Sequence, residues 1–305
     1  MRARGFTIVE LLIVIVVIGI IATIVAVSYS GITESARLTS LKSDLQAANT
    51  SLGGVMAYSK GVWQPQTFPE SVQVSDGNYI ELTAPTAAGV SGHCVNGIRT
   101  NPTAVYSWHS EYGFSEGLCP YLPTGDSRGT APNPLIPRGV NVAPSLREWS
   151  PRPGSNTANV TYDVAKQEFV VNQVNSSETI WWSPPIRVDG ARTLSVRMTV
   201  WPTAASTTFT PQGGIYGGTY YFAADCVTPV YNPYYQPANN YHSNGFARGA
   251  AVNTWTDIEA GFYLDIASGA TNTVQCFRVG VISYQNSIYT QGLLRIKKVE
   301  VLVFD

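Results

Sequence analysis

Residues 113 to 117 read GFSEG, the G-x-S-x-G spacing that can lift a serine hydroxyl onto a sharp strand-to-helix turn for nucleophilic attack. Here Cys119 and Pro120 follow where a helix should begin, so the match predicts a loop serine without acyl-transfer chemistry. Glu111 and Glu116 invite comparison with the acid and base of a glycosidase, but closeness in sequence supplies no geometry, and solvated loop carboxylates are the expectation. His93, His109 and His242 are scattered, outside the spacing of a metalloprotease or a catalytic triad. No CxxC or Cys/His cluster at zinc spacing occurs. Asp163, Asp189, Asp225, Asp257 and Asp265 form no loop of EF-hand spacing. No catalytic residue, metal ligand or cofactor is therefore assigned, and the chain is not expected to be an enzyme.

A binding chemistry is better represented. Tyr231 to Phe246 read YNPYYQPANNYHSNGF, with aromatic rings interleaved with Asn, Gln and Pro in a stretch ill suited to regular structure. Sugars bind by stacking on aromatic faces while amides hydrogen-bond around the ring, and such a segment supplies both groups. The candidate glycan contacts are Tyr231, Tyr234, Tyr235 and Tyr241, together with Trp181 and Trp182 ahead of Pro184. The competing reading is that these rings fill a core or pack beneath a long loop.

Glu10 poses a different question. Met1 to Gly5 form a short basic leader, MRARG, and from Leu11 to Thr33 no charged residue occurs. As a helix that run extends about 34 Å, enough to cross a bilayer core of roughly 30 Å. A carboxylate at the head of such a span costs roughly 2.5 to 3.5 kcal/mol on insertion scales and calls for a partner. A secretory signal would carry a shorter apolar core with a small-residue cleavage site after it, and Ala22 to Ser28 offers only a poor one. A plain signal anchor accounts for Arg2 and Arg4 by the positive-inside rule but leaves Glu10 unexplained.

Gly5, Phe6 and Glu10, set between the Arg pair and the apolar run, resemble the class III signal of type IV pilins and pseudopilins. The resemblance implies that a prepilin peptidase cuts after Gly5 and that the new N-terminal residue, Phe6, is N-methylated. It also implies that Glu10 of one subunit neutralises the terminal amine of its neighbour in a filament, so that a costly buried charge becomes a register device. The partners implied are other pilin subunits and the processing peptidase/methylase. The implied locations are the cytoplasmic membrane, as a single-pass protein before assembly, and then an extracellular pilus at the cell surface.

The elements that position these residues follow from patterning. Leu38, Leu41, Leu45, Ala48 and Leu52 recur at three- and four-residue steps, so the apolar helix continues as an amphipathic one over residues 6–60. Gly53 and Gly54 weaken it, and Trp63 to Pro69 end it. No proline falls between Phe6 and Gln64, whereas many pilins carry a helix-breaking one, leaving Gly19 and Gly31 as the weak points. Residues 61–125 are turn-rich and read as a small pilin head. Residues 126–139 lie in a Pro- and Gly-rich stretch, TGDSRGTAPNPLIPRG, and read as a linker. From residue 140 to 305, short strand-like runs separated by turns predict a β-sandwich. The four cysteines allow three pairings, and only Cys94 with Cys119 plus Cys226 with Cys276 keeps each bridge within one unit.

The final segments, NTWTDIEAGFYLDI, FRVGVIS and LLRIKKVEVLVFD, resemble carbohydrate-binding jelly-roll modules. That resemblance implies a fold more than an activity, and a structural calcium without assigned ligands. The fold class expected is α+β: a leader (1–5), a long hydrophobic helix with a small β head, and a C-terminal jelly-roll-like sandwich. A formal net charge of −1 with 13% charged residues gives no basic footprint for nucleic acid. The reading that follows is a structural subunit of a type IV pilus-like filament, a minor or tip pilin displaying an adhesive sandwich. Its rivals are a pseudopilin of a type II secretion or DNA-uptake system and a membrane-anchored glycan-binding surface protein.

Overall fold

The computed structural model of the chain describes residues 8–58, 66–85, 92–152, 160–173, 179–187, 190–202, 214–222, 226, 241–245, 253–264, 276–284 and 292–305. A single helix, α1, runs over Ile8–Tyr58. Its two halves obey different rules. Up to about Ile32 the apolar side chains are exposed, whereas Leu41, Asp44, Leu45, Ala48 and Leu52 are buried at the three- and four-residue steps that make one helical face. By length and composition α1 is able to cross a membrane.

That buried face lies on an antiparallel sheet of β1 (Asn78–Ala84), β2 (Cys94–Thr100), β3 (Thr103–His109), β4 (Gly113–Glu116) and β5 (Leu122–Gly129), ordered β4-β3-β2-β1-β5. Strand alternation sorts each strand into two faces. Ile80, Leu82 and Val95 meet Leu45, Ala48 and Leu52 of the helix, with Phe68 and Val72 closing the edge. Gly97 on β2 is where the helix comes nearest: a Cβ there would stand 2.9 Å from a Leu45 methyl carbon. A polar clamp fixes the register. The Asp44 carboxylate accepts from the Ser75 N–H and hydroxyl, both at 2.9 Å, and from the Asn78 amide at 2.6 Å. The Asn78 oxygen in turn accepts from Arg99.

The remaining strands are β6 (Ser150–Pro151), β7 (Val160–Asp163), β8 (Glu168–Gln173), β9 (Thr179–Trp182), β10 (Ile186–Arg187), β11 (Thr193–Pro202), β12 (Gly214–Phe222), β13 (Tyr241–Gly245), β14 (Thr256–Tyr263), β15 (Cys276–Tyr284) and β16 (Gly292–Phe304). They form two sheets, β13-β12-β15-β9-β6 with β10 also on β15, and β14-β11-β16-β8-β7. Phe277 and Val279 of the one bury against Leu194, Val196, Met198, Val200, Ile296 and Val301 of the other, which makes a β-sandwich. The α+β class read from the sequence is the one observed. The apolar runs at Leu194–Trp201, Cys276–Ser283 and Leu293–Phe304 are strands β11, β15 and β16.

The face of the first sheet turned away from α1 does not meet solvent. Tyr79, Ile98, Val105 and Leu118 belong to the same buried cluster as Ile136, Val142, Ala143 and the sandwich core. Gly117 (φ +89°) marks the contact, since a Cβ there would fall 1.9 Å from the Ala143 carbonyl oxygen. The Leu118 N–H donates to the Val142 carbonyl at 3.4 Å, and Val142 donates to Val301 of β16. Glu81 of β1 is held by two Arg187 N–H groups from β10. Residues 126–129, read from composition as the start of a linker, are the end of β5, and Ile136 is fully buried. Gly and Pro content marks turns in a sequence; it does not register that a turn-rich segment packs between two sheets. Cys94 is bonded to Cys119, and Cys226 to Cys276.

Candidate functional site

The N-terminal signal is described only in part. Gly5 and Phe6 lie outside the described residues, and Glu10 stands exposed in the first described turn of α1. From Ile8 to Val25 the helix presents Leu, Ile and Val on every side, with nothing within 4 Å of where a Gly19 or Gly31 Cβ would be. An apolar helix of this kind is stable only in lipid or against other apolar helices.

The aromatic candidates separate once the sheet is built. Trp181 and Trp182 are consecutive on β9, so they point to opposite faces. Trp181 packs against the sandwich core, edge-to-face with Phe169 at 5.2 Å between ring centres. Its buried indole N–H has no hydrogen-bond partner among the described residues. Trp182 stands on the other face, where the Arg278 guanidinium lies 5.0 Å from its ring centre and donates to the Ser183 carbonyl. Burial lowers the Arg278 pKa.

Register extends that outer face across the sheet. Ser150, Trp182, Gly280, Gly218 and Ser243 form one cross-strand row on β6, β9, β15, β12 and β13. Arg278, Tyr220 and Tyr241 form the next row on one side, and Ile180, Ile282, Tyr216 and Gly245 the next on the other. Trp182 and Tyr241 are thus brought to one face by the fold, whereas Tyr231, Tyr234 and Tyr235 lie outside the described residues. Tyr216, Gly218, Tyr220 and Gly280 were missed in the sequence. The signal was available: IYGGTYYF alternates ring, Gly and ring at every second residue, the period that puts them on one strand face.

The outer face of the opposite sheet carries a groove of about 430 Å³ lined by Arg197, Thr199, Asp257, Glu259, Lys298 and Glu300. Four of its five charges form ion pairs, and the fifth, Asp257, takes a hydroxyl. Arg197 pairs with Glu259 at 3.1 Å and Lys298 with Glu300 at 2.6 Å, while the Thr199 hydroxyl donates to Asp257. The Ser195 hydroxyl and Arg197 lower the Glu259 pKa. Such a lattice is a solvated, mostly paired surface. The GFSEG segment is the antiparallel edge strand β4 and no nucleophile elbow, with the Ser115 hydroxyl donating to the Glu116 carbonyl. Among the described residues no three His, Cys, Asp or Glu side chains converge as a metal site.

A third constellation lies where the first sheet meets the sandwich. The His109 ring stacks on Tyr112 with ring centres 4.1 Å apart and planes 8° from parallel. The Arg147 guanidinium stands 5.0 Å from the centre of the same Tyr112 ring. The Glu111 N–H donates to His109 Nδ1, so Nε2 carries the proton and donates to the Tyr121 hydroxyl at 3.0 Å. Tyr112 also hydrogen-bonds Glu148. Burial, with the Arg147 charge, holds His109 down to about 4, and burial with the His109 charge does the same for His93. Burial raises Tyr112, pushes Tyr121 up to about 12 and raises Glu148.

Comparisons with known proteins bear on the two ends of the chain differently. A search of curated proteins finds no match. Among solved structures, the enzymatically active domain of tailspike protein 4 from bacteriophage CBA120 aligns with 58% of this chain at 12% identity and a TM-score of 0.33; the alignment spans only 22% of that chain. A carbohydrate-binding module solved with β-1,4-galactotriose aligns over 51% of this chain and 88% of its own at 7% identity and a TM-score of 0.28. The family 11 carbohydrate-binding module of a cellulosomal cellulase from Clostridium thermocellum aligns over 55% and 94% at 10% identity and a TM-score of 0.30. At those scores the three are neighbours in outline only. The N-terminus gives a defined match: residues 1–26 carry the prokaryotic N-terminal methylation motif, the signal of prepilin-type proteins.

Proposed function

We propose that the chain is a subunit of a type IV pilus-like filament, a minor or tip pilin whose sandwich is displayed as an adhesive, glycan-binding unit. The observation that carries this reading is the division of α1. Its C-terminal half is buried by its own sheet, while the apolar side chains from Ile8 to Val25 are exposed and fall within the methylation motif of residues 1–26. A helix built only as an anchor has no use for Glu10. A helix that leaves the membrane to pack among copies of itself needs one carboxylate to meet each neighbour's terminal amine. Processing after Gly5, N-methylation of Phe6 and storage in the cytoplasmic membrane belong to the same reading, with other pilin subunits and the peptidase/methylase as partners.

The adhesive part rests on the outer face of β9, β12, β13 and β15. Gly280 and Gly218 are adjacent across the sheet, Gly280 pairing with Trp182, and Tyr216, Tyr220 and Tyr241 hold neighbouring register positions. A sheet face that alternates glycine with aromatic positions has the composition that suits the face of a sugar.

The first test is the N-terminal peptide of protein sheared from the native cell surface. A chain beginning at methylated Phe6 is the expected result, and one beginning at Met1 or after Ala22 overturns the filament reading. A glycan array on that sheared protein tests display, with Trp182→Ala and Tyr241→Ala each expected to weaken any hit at least tenfold. Equal binding by both variants removes the glycan face while leaving the filament reading standing.

A further inference from the structure

We propose that the junction between the first sheet and the sandwich is an acid-released latch, with His109 as the group whose protonation opens it. Beside the shared core and the Glu81–Arg187 pair, the junction is crossed by a cluster in which His109 and Arg147 both contact the Tyr112 ring. His109, at the end of β3, and Tyr112, in the turn after it, belong to the first sheet, whereas Arg147 lies in the 3-10 turn Leu146–Glu148 that leads into the sandwich. Directly after that turn, Trp149 is buried in the sandwich core and donates its indole N–H to the Pro144 carbonyl. Whatever moves Arg147 therefore pulls on a core residue.

Neutral His109 satisfies both ring nitrogens: Nδ1 accepts from the Glu111 N–H and Nε2–H donates to the Tyr121 hydroxyl. A second proton can only go on Nδ1. There it removes the acceptor from the Glu111 N–H, sets two donors against each other, and buries a cation. The groups facing that cation come from every element around it. His93, beside β2, and Arg147 oppose it, and both act in the direction that favours the neutral ring. Glu111 is on its own turn, Glu148 reaches Tyr112 from the sandwich side, and Tyr121 precedes β5. Glu148 offers little compensation in acid, because burial raises its pKa and it is neutralised early as the pH falls. Acidification thus leaves Arg147 and His109 both positive against one tyrosine ring. His93 donates to Asn49 of α1 at 2.9 Å and makes no ring contact with Tyr112 or Arg147 among the described residues, so replacing it separates a general histidine effect from one at His109.

Opening exposes the imidazole to water, where it binds a proton near its ordinary pKa. Protons then favour the open form in the window between about 6.5 and about 4. The consequence for a displayed sandwich is mechanical: firmly seated at neutral pH, and loosened in acid along the edge that holds His109 and Arg147.

The test is hydrogen exchange, corrected for intrinsic rate, on the full chain in detergent micelles at pH 7 and pH 4.5. The Leu118 amide, which bonds across the junction to Val142, should lose protection at least tenfold in acid. The Gly117 amide, bonded within the first sheet to Val105, and the Val142 amide, bonded within the sandwich to Val301, should keep theirs. His109→Gln should abolish the acid response and His93→Gln should preserve it. Unchanged Leu118 protection in the parent chain, loss at all three amides together, or an acid response surviving in His109→Gln each overturns the proposal. Should His109→Gln not fold, His109→Asn serves instead: its side-chain oxygen can still accept from the Glu111 N–H but takes up no proton in this range, so the acid response should vanish, and a response that survives overturns the proposal.

Discussion

Two buried imidazoles within one strand ladder, His93 and His109, give the molecule an acid dependence that can be signed. Both are held near 4 in the folded chain by burial, against 6.5 when solvated. The unfolded chain therefore binds more protons between those limits, and the stability due to the pair is complete above about pH 6.5 and lost as the pH falls toward 4. A separation of that size corresponds to roughly 3 kcal/mol per ring at neutral pH, less for two rings that repel. Glu148 works in the opposite sense, its raised pKa favouring the fold in acid. Urea midpoints measured at pH 7 and pH 5 should show a net loss in acid that shrinks in the double variant His93→Gln, His109→Gln. An equal loss in parent and variant would assign it to other groups. Glu81 makes a separate case. Among the described residues, Arg187→Met leaves its nearly buried carboxylate with the Asn96 amide alone, and breaking such a pair costs about 3 to 5 kcal/mol. Thermal unfolding of Arg187→Met checks that figure, with a double variant Glu81→Gln, Arg187→Met expected to recover much of it.

At the scale of elements, α1 is two helices in one. Leu45→Ala removes a fully buried side chain that meets Ile80, Leu82 and Val95, and should cost about 2 to 5 kcal/mol in denaturant unfolding. Leu12→Ala, in the exposed half, should cost the isolated subunit nearly nothing and instead weaken filament yield after shearing. A large loss of stability from Leu12→Ala would mean that the N-terminal half is seated on its own subunit. Gly97→Val places two methyls into the Leu45 contact and should lift the helix off its sheet, which loss of protection at the Leu41 and Leu45 amides would report.

For the whole molecule, the consequence of the shared core is cooperativity. Tyr79, Ile98, Val105 and Leu118 are buried in the same cluster as Val196, Phe277 and Val301, so the first sheet and the sandwich should melt in one calorimetric transition at neutral pH. Two separated transitions there would contradict a continuous core. Gly117→Ala, which forces a methyl against the Ala143 carbonyl and strains a positive φ, is expected to split that single transition in two.

The chain's local patterns determined a good deal unaided. The charge-free run behind Arg2 and Arg4, the helical steps from Leu41 to Leu52 and the period-two strands all arise from neighbours in sequence, and burial then follows periodicity. The interleaved rings from Tyr231 to Phe246 likewise drew attention to an aromatic region, yet could not show that Trp181 turns inward while Trp182 turns outward. That depends on which face of β9 meets Phe169, a contact made by a strand from elsewhere in the chain. The same holds for the stretch from Asp126 to Gly139. Its composition is that of a linker, but β5 pairs with β1, more than forty residues earlier, and Ile136 enters a core formed by three sheets. Likewise, His109, Tyr112 and Arg147 are unremarkable in order and become one stack only when the sandwich is seated. Tertiary structure decided these features because each rests on a non-local contact, whose loop-closure cost is repaid only when the rest of the core is already in place.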